Sequence, residues 1–312
     1  MKLILTGALG HIGSYVAREL PLQFPGAEIV LIDSMMTQRF PSLFNLPSLA
    51  KYRFVEADVT SFDLRRLFHG AHAVIHLAAI TDAAASFEKA ELLETNNYQA
   101  TVRVAEACVE TGARLIVLSS TSVYGTQSAV VTEDCAEKDL SPQSPYAVTK
   151  LKEERMVAGF SADRGLKVVS CRFGTIYGAS PGMRFHTAVN KFCWQAAMSL
   201  PITVWSTAYD QKRSYLDLFD AARAISFIIR EDLFDGRTYN VLTQNATVRE
   251  VVDTIREFAP TLRVEFVDNK IMNQLSYEVS NERFRLKGFA FGGQLRRGIG
   301  ETLSLLRNGN CG

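Results

Sequence analysis

Three glycines near the start constrain this chain most. Gly7, Gly10 and Gly13 stand between a short apolar run and an amphipathic one. Lys2–Thr6 reads as a strand and His11–Leu20 as a helix. A strand that passes straight into a helix through glycines opens a βαβ unit, and repeated βαβ units imply a parallel sheet. The chain keeps that rhythm. Strands are expected at Glu28–Asp33, Tyr52–Glu56, Ala73–Leu77, Arg114–Leu118 and Lys167–Arg172. Helices are expected around Ser61–His69, over Glu91–Thr111 with Gly112 as its stop, and over Pro145–Gly159. The expected fold class is α/β, with a doubly wound parallel sheet.

The rhythm changes after Gly174. Pro181–Leu200 reads as a loop that becomes a helix, and Ile202–Trp205 as a short strand. Leu216–Arg230 reads as a helix returning to the first lobe, followed by a strand at Tyr239-Asn240-Val241. Val248–Ala259 and Leu295–Leu306 are helical, with a strand at Arg263–Val267 between them. Residues 1–174 and 214–241 are therefore assigned to one lobe. Residues 175–213 and 242–312 form a smaller, discontinuous α/β lobe suited to binding substrate.

The chain has 312 residues, of which 47% are hydrophobic and 21% charged, a globular balance. A net charge of +1 gives no bulk attraction to nucleic acid or to an anionic membrane. No apolar run approaches the ~18–20 residues of a membrane span, and the run at the start is too short for a signal peptide. Cys108, Cys135, Cys171, Cys193 and Cys311 are odd in number and form no CxxC pair. A disulfide framework or metal site is not expected, and a reducing cytoplasm fits.

The glycine loop suits a dinucleotide. One glycine permits the tight turn, one admits the pyrophosphate to the backbone, and one lets helix pack on strand. Asp33 ends the second strand, 20 residues after Gly13. A carboxylate there accepts hydrogen bonds from ribose hydroxyls and repels a 2′-phosphate, which favours NAD over NADP. Arg39 lies near enough to offset part of that repulsion. A Rossmann-type NAD-binding domain is the expectation.

Tyr146 and Lys150 share one face of a helix at i and i+4. A lysine ammonium near a phenol favours phenolate and lets Tyr146 exchange a proton with a substrate hydroxyl. Ser119-Ser120-Thr121-Ser122 follows a predicted parallel strand, at whose carboxyl end ligands gather. A hydroxyl from that run is placed to hydrogen-bond the reacting oxygen.

These motifs form an ordered series. To the glycine loop and Asp33 are added Asp58-Val59, His76-Leu77-Ala78-Ala79 and Asn97 with Thr101. Then come Ser119–Gly125, Pro142–Lys150, Arg172-Phe173-Gly174-Thr175-Ile176-Tyr177-Gly178, Arg213 and Tyr239-Asn240-Val241. From residue 1 to about 240 the chain resembles the extended short-chain dehydrogenase/reductase family. Within it, the likeness is to the NAD-dependent nucleotide-sugar epimerases and dehydratases. The resemblance implies roles for individual residues. His11 and Ile12 lie along the pyrophosphate, and Asp58 and Val59 by the adenine. Ala78 and Ala79 line the cofactor, Asn97 braces the active-site region, and Ser34 and Leu77 join the cofactor set. Ser120 is the catalytic hydroxyl, Tyr146 the base, and Lys150 also binds the nicotinamide ribose. Two long helices per subunit, 91–111 and 145–159, pair into a homodimer.

The departures bear on the reaction. Related 4,6-dehydratases carry Asp-Glu where Thr121 and Ser122 stand, and related decarboxylases carry Glu at the place of Ser122. Hydroxyls do not replace those carboxylates. An alcohol–ketone–alcohol cycle needs no further acid, so a 4-epimerase is the leading expectation. A dehydrogenase or reductase of a ketosugar or of a small alcohol is the alternative, and a non-catalytic NAD sensor a third reading. Thr175, Arg184, Asn190 and Arg213 are the expected substrate contacts. Thr175 stands where relatives usually carry Asn, and Asn190 reads equally as a helix-surface amide. His186 reads as a solvated loop residue. Trp194 and Trp205 read as core or wall residues. Near Asn273-Gln274-Leu275 no arginine is found where relatives often have one.

Overall fold

The structure is a computed structural model that describes residues 1–81, 90–125, 129–267 and 276–308. Cys311 and the Asn273-Gln274-Leu275 stretch lie outside the described residues.

The first half alternates strands and helices. β1 (Lys2–Thr6) leads to α1 (His11–Gln23), then β2 (Glu28–Asp33), β3 (Lys51–Glu56), α2 (Leu64–Phe68) and β4 (Ala73–His76). A helical stretch follows as α3 (Ala90–Leu93), one wider π turn (Glu94–Tyr98) and α4 (Gln99–Thr111). The single helix expected over 91–111 is thus interrupted. Gly112 ends it in the left-handed conformation, at φ 70°. β5 (Arg114–Ser120), β6 (Val130–Val131), α5 (Pro145–Arg164) and β7 (Val168–Phe173) complete this half.

The second half comprises β8 (Thr175–Tyr177), α6 (Ala188–Ala197), β9 (Ile202–Trp205), β10 (Lys212–Asp217) and α7 (Leu218–Arg230). After these come β11 (Thr238–Val241), β12 (Gln244–Thr247), α8 (Val248–Phe258), β13 (Val264–Val267), β14 (Glu278–Val279), α9 (Glu282–Leu286) and α10 (Leu295–Asn308). No described helix is long and apolar enough to cross a membrane.

Seven parallel strands form the central sheet in the order β11-β7-β5-β4-β1-β2-β3. Side chains alternate across it, as the period of two requires. Leu3, Leu5, Ile29 and Leu31 face the layer of α1 and α7, whereas Ile4, Val30, Val74 and Val117 face that of α2, α4 and α5. Both faces are covered, so the inner strands β1, β2 and β4 are largely buried and apolar, whereas the edge strand β3 keeps exposed charges. The strand order reverses between β1 and β4. Ligands of such sheets bind at the carboxyl ends of the strands flanking that point. Here those ends are Thr6 and His76, which are in register with each other.

The smaller sheets explain where the rhythm changed. β12-β10-β8 is a three-stranded sheet, with β10 parallel to β8 and antiparallel to β12. Leu216 therefore lies in a strand, and the returning helix begins at Leu218, capped by Asp217. Residue 214 falls inside β10, so the return to the large sheet is carried by α7. The second apolar core is built from α6, α8 and α10 around Phe192, Val251, Ile255, Ile299 and Leu303. Trp194 is not a core residue: it sits 36% exposed on α6, with its ring 6.1 Å from that of the exposed Phe185.

Candidate active site

The glycine loop is a cradle that side chains would fill. Gly7 has φ 65°, and a Cβ there would lie 2.6 Å from the backbone nitrogen of Ala78. A Cβ at Gly13 would lie 2.5 Å from the Gly7 carbonyl oxygen. No side chain caps α1, so its first N–H groups are left for a ligand. Beside this turn is a cavity of about 480 Å³. Gly7, Gly10, His11, Ile12, Gly13, Asp33, Ser34, Asp58, Val59, Leu77, Ala78 and Ala79 all line it. The residues present therefore fit a dinucleotide. Sequence reasoning missed Ile32, Met36, Thr37, Ala57, Thr60, Ile80, Thr81, Asn96 and Ala100 in the same wall. Most flank residues that were expected, so strand-end position was the available signal.

Asp33 is pre-set for recognition. One carboxylate oxygen accepts from Leu9 N–H and the other from Met35 N–H, each at 3.0 Å. Each oxygen keeps a further lone pair for a ribose hydroxyl. Arg39 lines the cavity but donates to the Gly182 carbonyl at 2.9 Å.

The His11 ring also has partners within the protein. His11 lines the cavity, and its ring, 5% exposed, hydrogen-bonds to Ser180 and Asn190. Nδ1 lies 2.7 Å from Ser180 Oγ, and Nε2 lies 3.2 Å from Asn190 Nδ2. Burial, with Arg184, Arg39 and His186 nearby, drops its pKa to about 3. The ring is neutral. Asn190 is neither a helix-surface amide nor an exposed nucleotide contact. It is 0% exposed, its oxygen accepts from Gly178 N–H, and its nitrogen donates to the Gly178 carbonyl, each at 3.2 Å. That pairing orients the amide, makes Nε2 of His11 an acceptor, and leaves Nδ1–H to donate to Ser180.

The polar residues after β5 face different ways. Ser120 Oγ accepts from Ser122 N–H at 3.2 Å and from Ser122 Oγ at 2.9 Å. Thr121 is buried and turned away, with Oγ1 2.7 Å from Ser214 Oγ on β10. Ser144 caps α5 and accepts from Ala147 N–H at 3.2 Å, with Pro145 at the first helical position. The cap sets Tyr146 on the first turn and Lys150 one turn later. The Lys150 ammonium lies 5.9 Å from the Tyr146 ring centre. It donates to Glu153 Oε2 at 2.9 Å, a partner that sequence reasoning missed.

Electrostatics correct one expectation. Burial pushes the Tyr146 phenol above its usual value, and the pull of Lys150 does not reverse this. Glu153 adds to the rise, and Arg184 opposes it. Burial works against the Lys150 charge, but Glu153 and Tyr146 together hold the ammonium above its usual value.

Other motif residues are scaffold. Asn97 sits in the π turn, 0% exposed, and clasps Ile80 through both ends of its amide, each at 2.8 Å. Arg172 forks onto Glu154 at 2.9 and 2.7 Å and donates to Tyr124 Oη at 2.8 Å. Tyr124 in turn donates to Asn240 Oδ1 at 2.9 Å. Of the expected substrate contacts, Arg184 lines the dinucleotide cavity, as does His186. Thr175 lies in β8 opposite Tyr215. Arg213 lies on β10 and donates to the Lys212 carbonyl at 3.0 Å. Neither Thr175 nor Arg213 lines that cavity.

A doubly wound sheet with a glycine cradle at its switch point, and a Tyr–Lys pair on α5, defines an extended short-chain dehydrogenase/reductase that uses NAD. The chain belongs to the NAD dependent epimerase/dehydratase family, whose model matches residues 3–241. It is 30% identical over 286 residues to an uncharacterized UDP-glucose epimerase of Bacillus subtilis (strain 168), covering 88% of each chain. It is 29% identical to a trifunctional UDP-glucose 4,6-dehydratase/3,5-epimerase/reductase of Arabidopsis thaliana; the match covers 92% of this chain but 44% of that one. Among solved structures, MoeE5 in complex with UDP-glucuronic acid and NAD is 28% identical, with TM-score 0.85 and coverage of 99% of this chain and 100% of that one. A UDP-glucuronic acid 4-epimerase of Bacillus cereus shares the fold at 24% identity and TM-score 0.84, with 99% of each chain covered.

Proposed function

We propose that the protein is a nucleotide-sugar epimerase acting at C4 through transient oxidation and re-reduction. The observation that carries this reading is the character of the two positions after Ser120. Ser122 turns a hydroxyl to Ser120, and Thr121 turns away into the protein. Neither offers a carboxyl group, so that position supplies no acid–base pair for eliminating water. A relative named as a UDP-glucose epimerase adds support.

The residues divide the work as follows. Ser120 Oγ accepts two hydrogen bonds from Ser122, which leaves its own proton to donate to the reacting sugar oxygen. Tyr146 takes the hydroxyl proton as phenolate and later returns it. Lys150 keeps a positive charge beside that phenolate and holds the nicotinamide ribose. Asp33 holds the adenosine ribose, with Asp58 and Val59 by the adenine. When bound, NAD supplies the two-electron acceptor and donor. The ketone turns its other face before reduction, so no external acid is needed. Thr175, Arg184 and Arg213 are the proposed contacts of the substrate diphosphate. Residues 175–213 and 242–312 are the proposed substrate lobe. A cytoplasmic homodimer that pairs through α4 and α5 completes the proposal.

The test is incubation with a panel of UDP-, GDP-, CDP- and dTDP-sugars, followed by product stereochemistry. The expected result is a C4-inverted product with no net NADH. Steady NADH accumulation would overturn the reading in favour of a dehydrogenase, and a 4-keto-6-deoxy product in favour of a dehydratase.

A further inference from the structure

Glu153 is a buried carboxylate on the same helix face as the proposed base. Its exposure is 0%, and Lys150, its partner, is 4% exposed. Tyr146, Lys150 and Glu153 fall at i, i+4 and i+7 of α5, so they line up along one stripe. Lys150 sits in the middle, 5.9 Å from the phenol ring centre on one side and 2.9 Å from Glu153 Oε2 on the other.

The second oxygen, Oε1, is also buried. Its near neighbour is the Thr101 hydroxyl on α4, which already donates to the Asn97 carbonyl at 3.0 Å. The same hydroxyl lies 3.2 Å from His76 Nε2, and His76 Nδ1 lies 2.7 Å from Thr6 Oγ1. His76 on β4 is neutral, so it brings no charge to the stripe. Glu154, the next residue of α5, is bound by Arg172 of β7. Arg184, from the loop after β8, bears on Tyr146. Glu153 therefore remains as the carboxylate in direct contact with the Lys150 ammonium.

We propose that Glu153 is a positioning residue that anchors the Lys150 ammonium and shares its charge with Tyr146. This rests on Tyr146 being the base of the proposed reaction. Two consequences follow from the arrangement. The ion pair fixes Lys150 in one rotamer between two acceptors. It also divides the lysine's charge, so the phenol holds its proton to higher pH than it would beside an uncompensated ammonium. A higher proton affinity makes the Tyr146 phenolate the stronger base for taking the sugar hydroxyl proton.

The test reads Tyr146 ionisation directly and needs no substrate. The full chain, with NAD added, is labelled with 13Cζ-tyrosine, and the Tyr146 resonance is assigned from its loss in Tyr146→Phe. The midpoint of phenolate formation is then measured in wild type, Glu153→Asp and Glu153→Gln. The i to i+7 rise is about 10.5 Å. A charge at that distance moves the midpoint by about one pH unit, or tenfold in proton affinity. Glu153→Gln is expected to lower it by that amount. Glu153→Asp, whose shorter carboxylate sits further from Lys150, is expected to lower it by less. If the Gln variant does not fold, the Asp variant decides by the same criterion. A midpoint that does not move, or that rises, in a folded variant overturns the proposal, even where thermal stability falls. A sugar panel without turnover would leave this result untouched.

Discussion

Thr121 Oγ1 and Ser214 Oγ lie 2.7 Å apart, a contact between the turn that follows β5 of the large sheet and β10 of the small one. It shows that the residue next to Ser120 serves the joint between the large and small sheets.

Placing an acid there should therefore cost stability without creating an acid catalyst. Thr121→Asp buries a carboxylate against Ser214 and the Phe173 carbonyl. Burial of an unpaired charge of this kind costs several kcal/mol. Denaturant titration is expected to show at least about 2 kcal/mol lost, with no 4-keto-6-deoxy product. A variant as stable as wild type would mean that Thr121 faces solvent.

Tyr146→Phe should leave NAD in place and lower turnover by about 10²–10⁴-fold, the usual worth of a positioned proton-transfer group. Protein-bound NAD, measured after gel filtration, separates the two effects. Turnover within a factor of ten of wild type would exclude Tyr146 as the base.

Gly7→Ala combines a left-handed φ of 65° with a Cβ 2.6 Å from backbone that has no room to yield. The strain at such a site costs about 1–3 kcal/mol, and the displaced turn closes the cradle. The expected outcome is a lower Tm and at least tenfold weaker NAD binding by isothermal titration. Unchanged NAD affinity would argue that the pyrophosphate passes elsewhere.

Two neutral histidines should make the fold acid-sensitive. Burial drops His11, and likewise His76, to about 3. In the unfolded chain both titrate near ~6.5. As pH falls below that value the unfolded state binds protons that the folded state refuses. Stability is then lost between about 6.5 and 3, and is complete above 6.5. Well below 6.5 the slope approaches ~1.4 kcal/mol per pH unit for each histidine. Unfolding free energies at pH 7, 6 and 5 should fall progressively, and less steeply in His11→Asn. A flat profile would mean that these rings are charged or solvated.

The Arg172–Glu154 fork is buried on both sides, with side-chain exposures of 5% and 6%. Glu154→Gln leaves an uncompensated guanidinium, and breaking a buried pair costs about 3–5 kcal/mol. The loss should appear as a lower midpoint in denaturant. Addition of NAD to saturation should leave most of that loss in place, because neither residue lines the cofactor cavity. A loss under 1 kcal/mol would show that water reaches the pair.

Much of the site was legible in the sequence, for a local reason. The glycines, Asp33 and Asp58 act at strand ends, and strand ends are readable from apolar runs and their stops. Tyr146 and Lys150 share a helix, where spacing alone brings side chains together. The sequence by itself thus determined the α/β class, the cofactor cradle and the proposed catalytic trio. Tertiary structure decided what depends on partners distant in the chain. Glu153 is polar by composition, yet packing of α5 against α4 and β5 buries it against Lys150. Asn190 and His11 are far apart in the chain, yet their side chains meet across 179 positions. The phenol of Tyr146 is pushed upward because burial outweighs its lysine, and burial is a property of the whole fold.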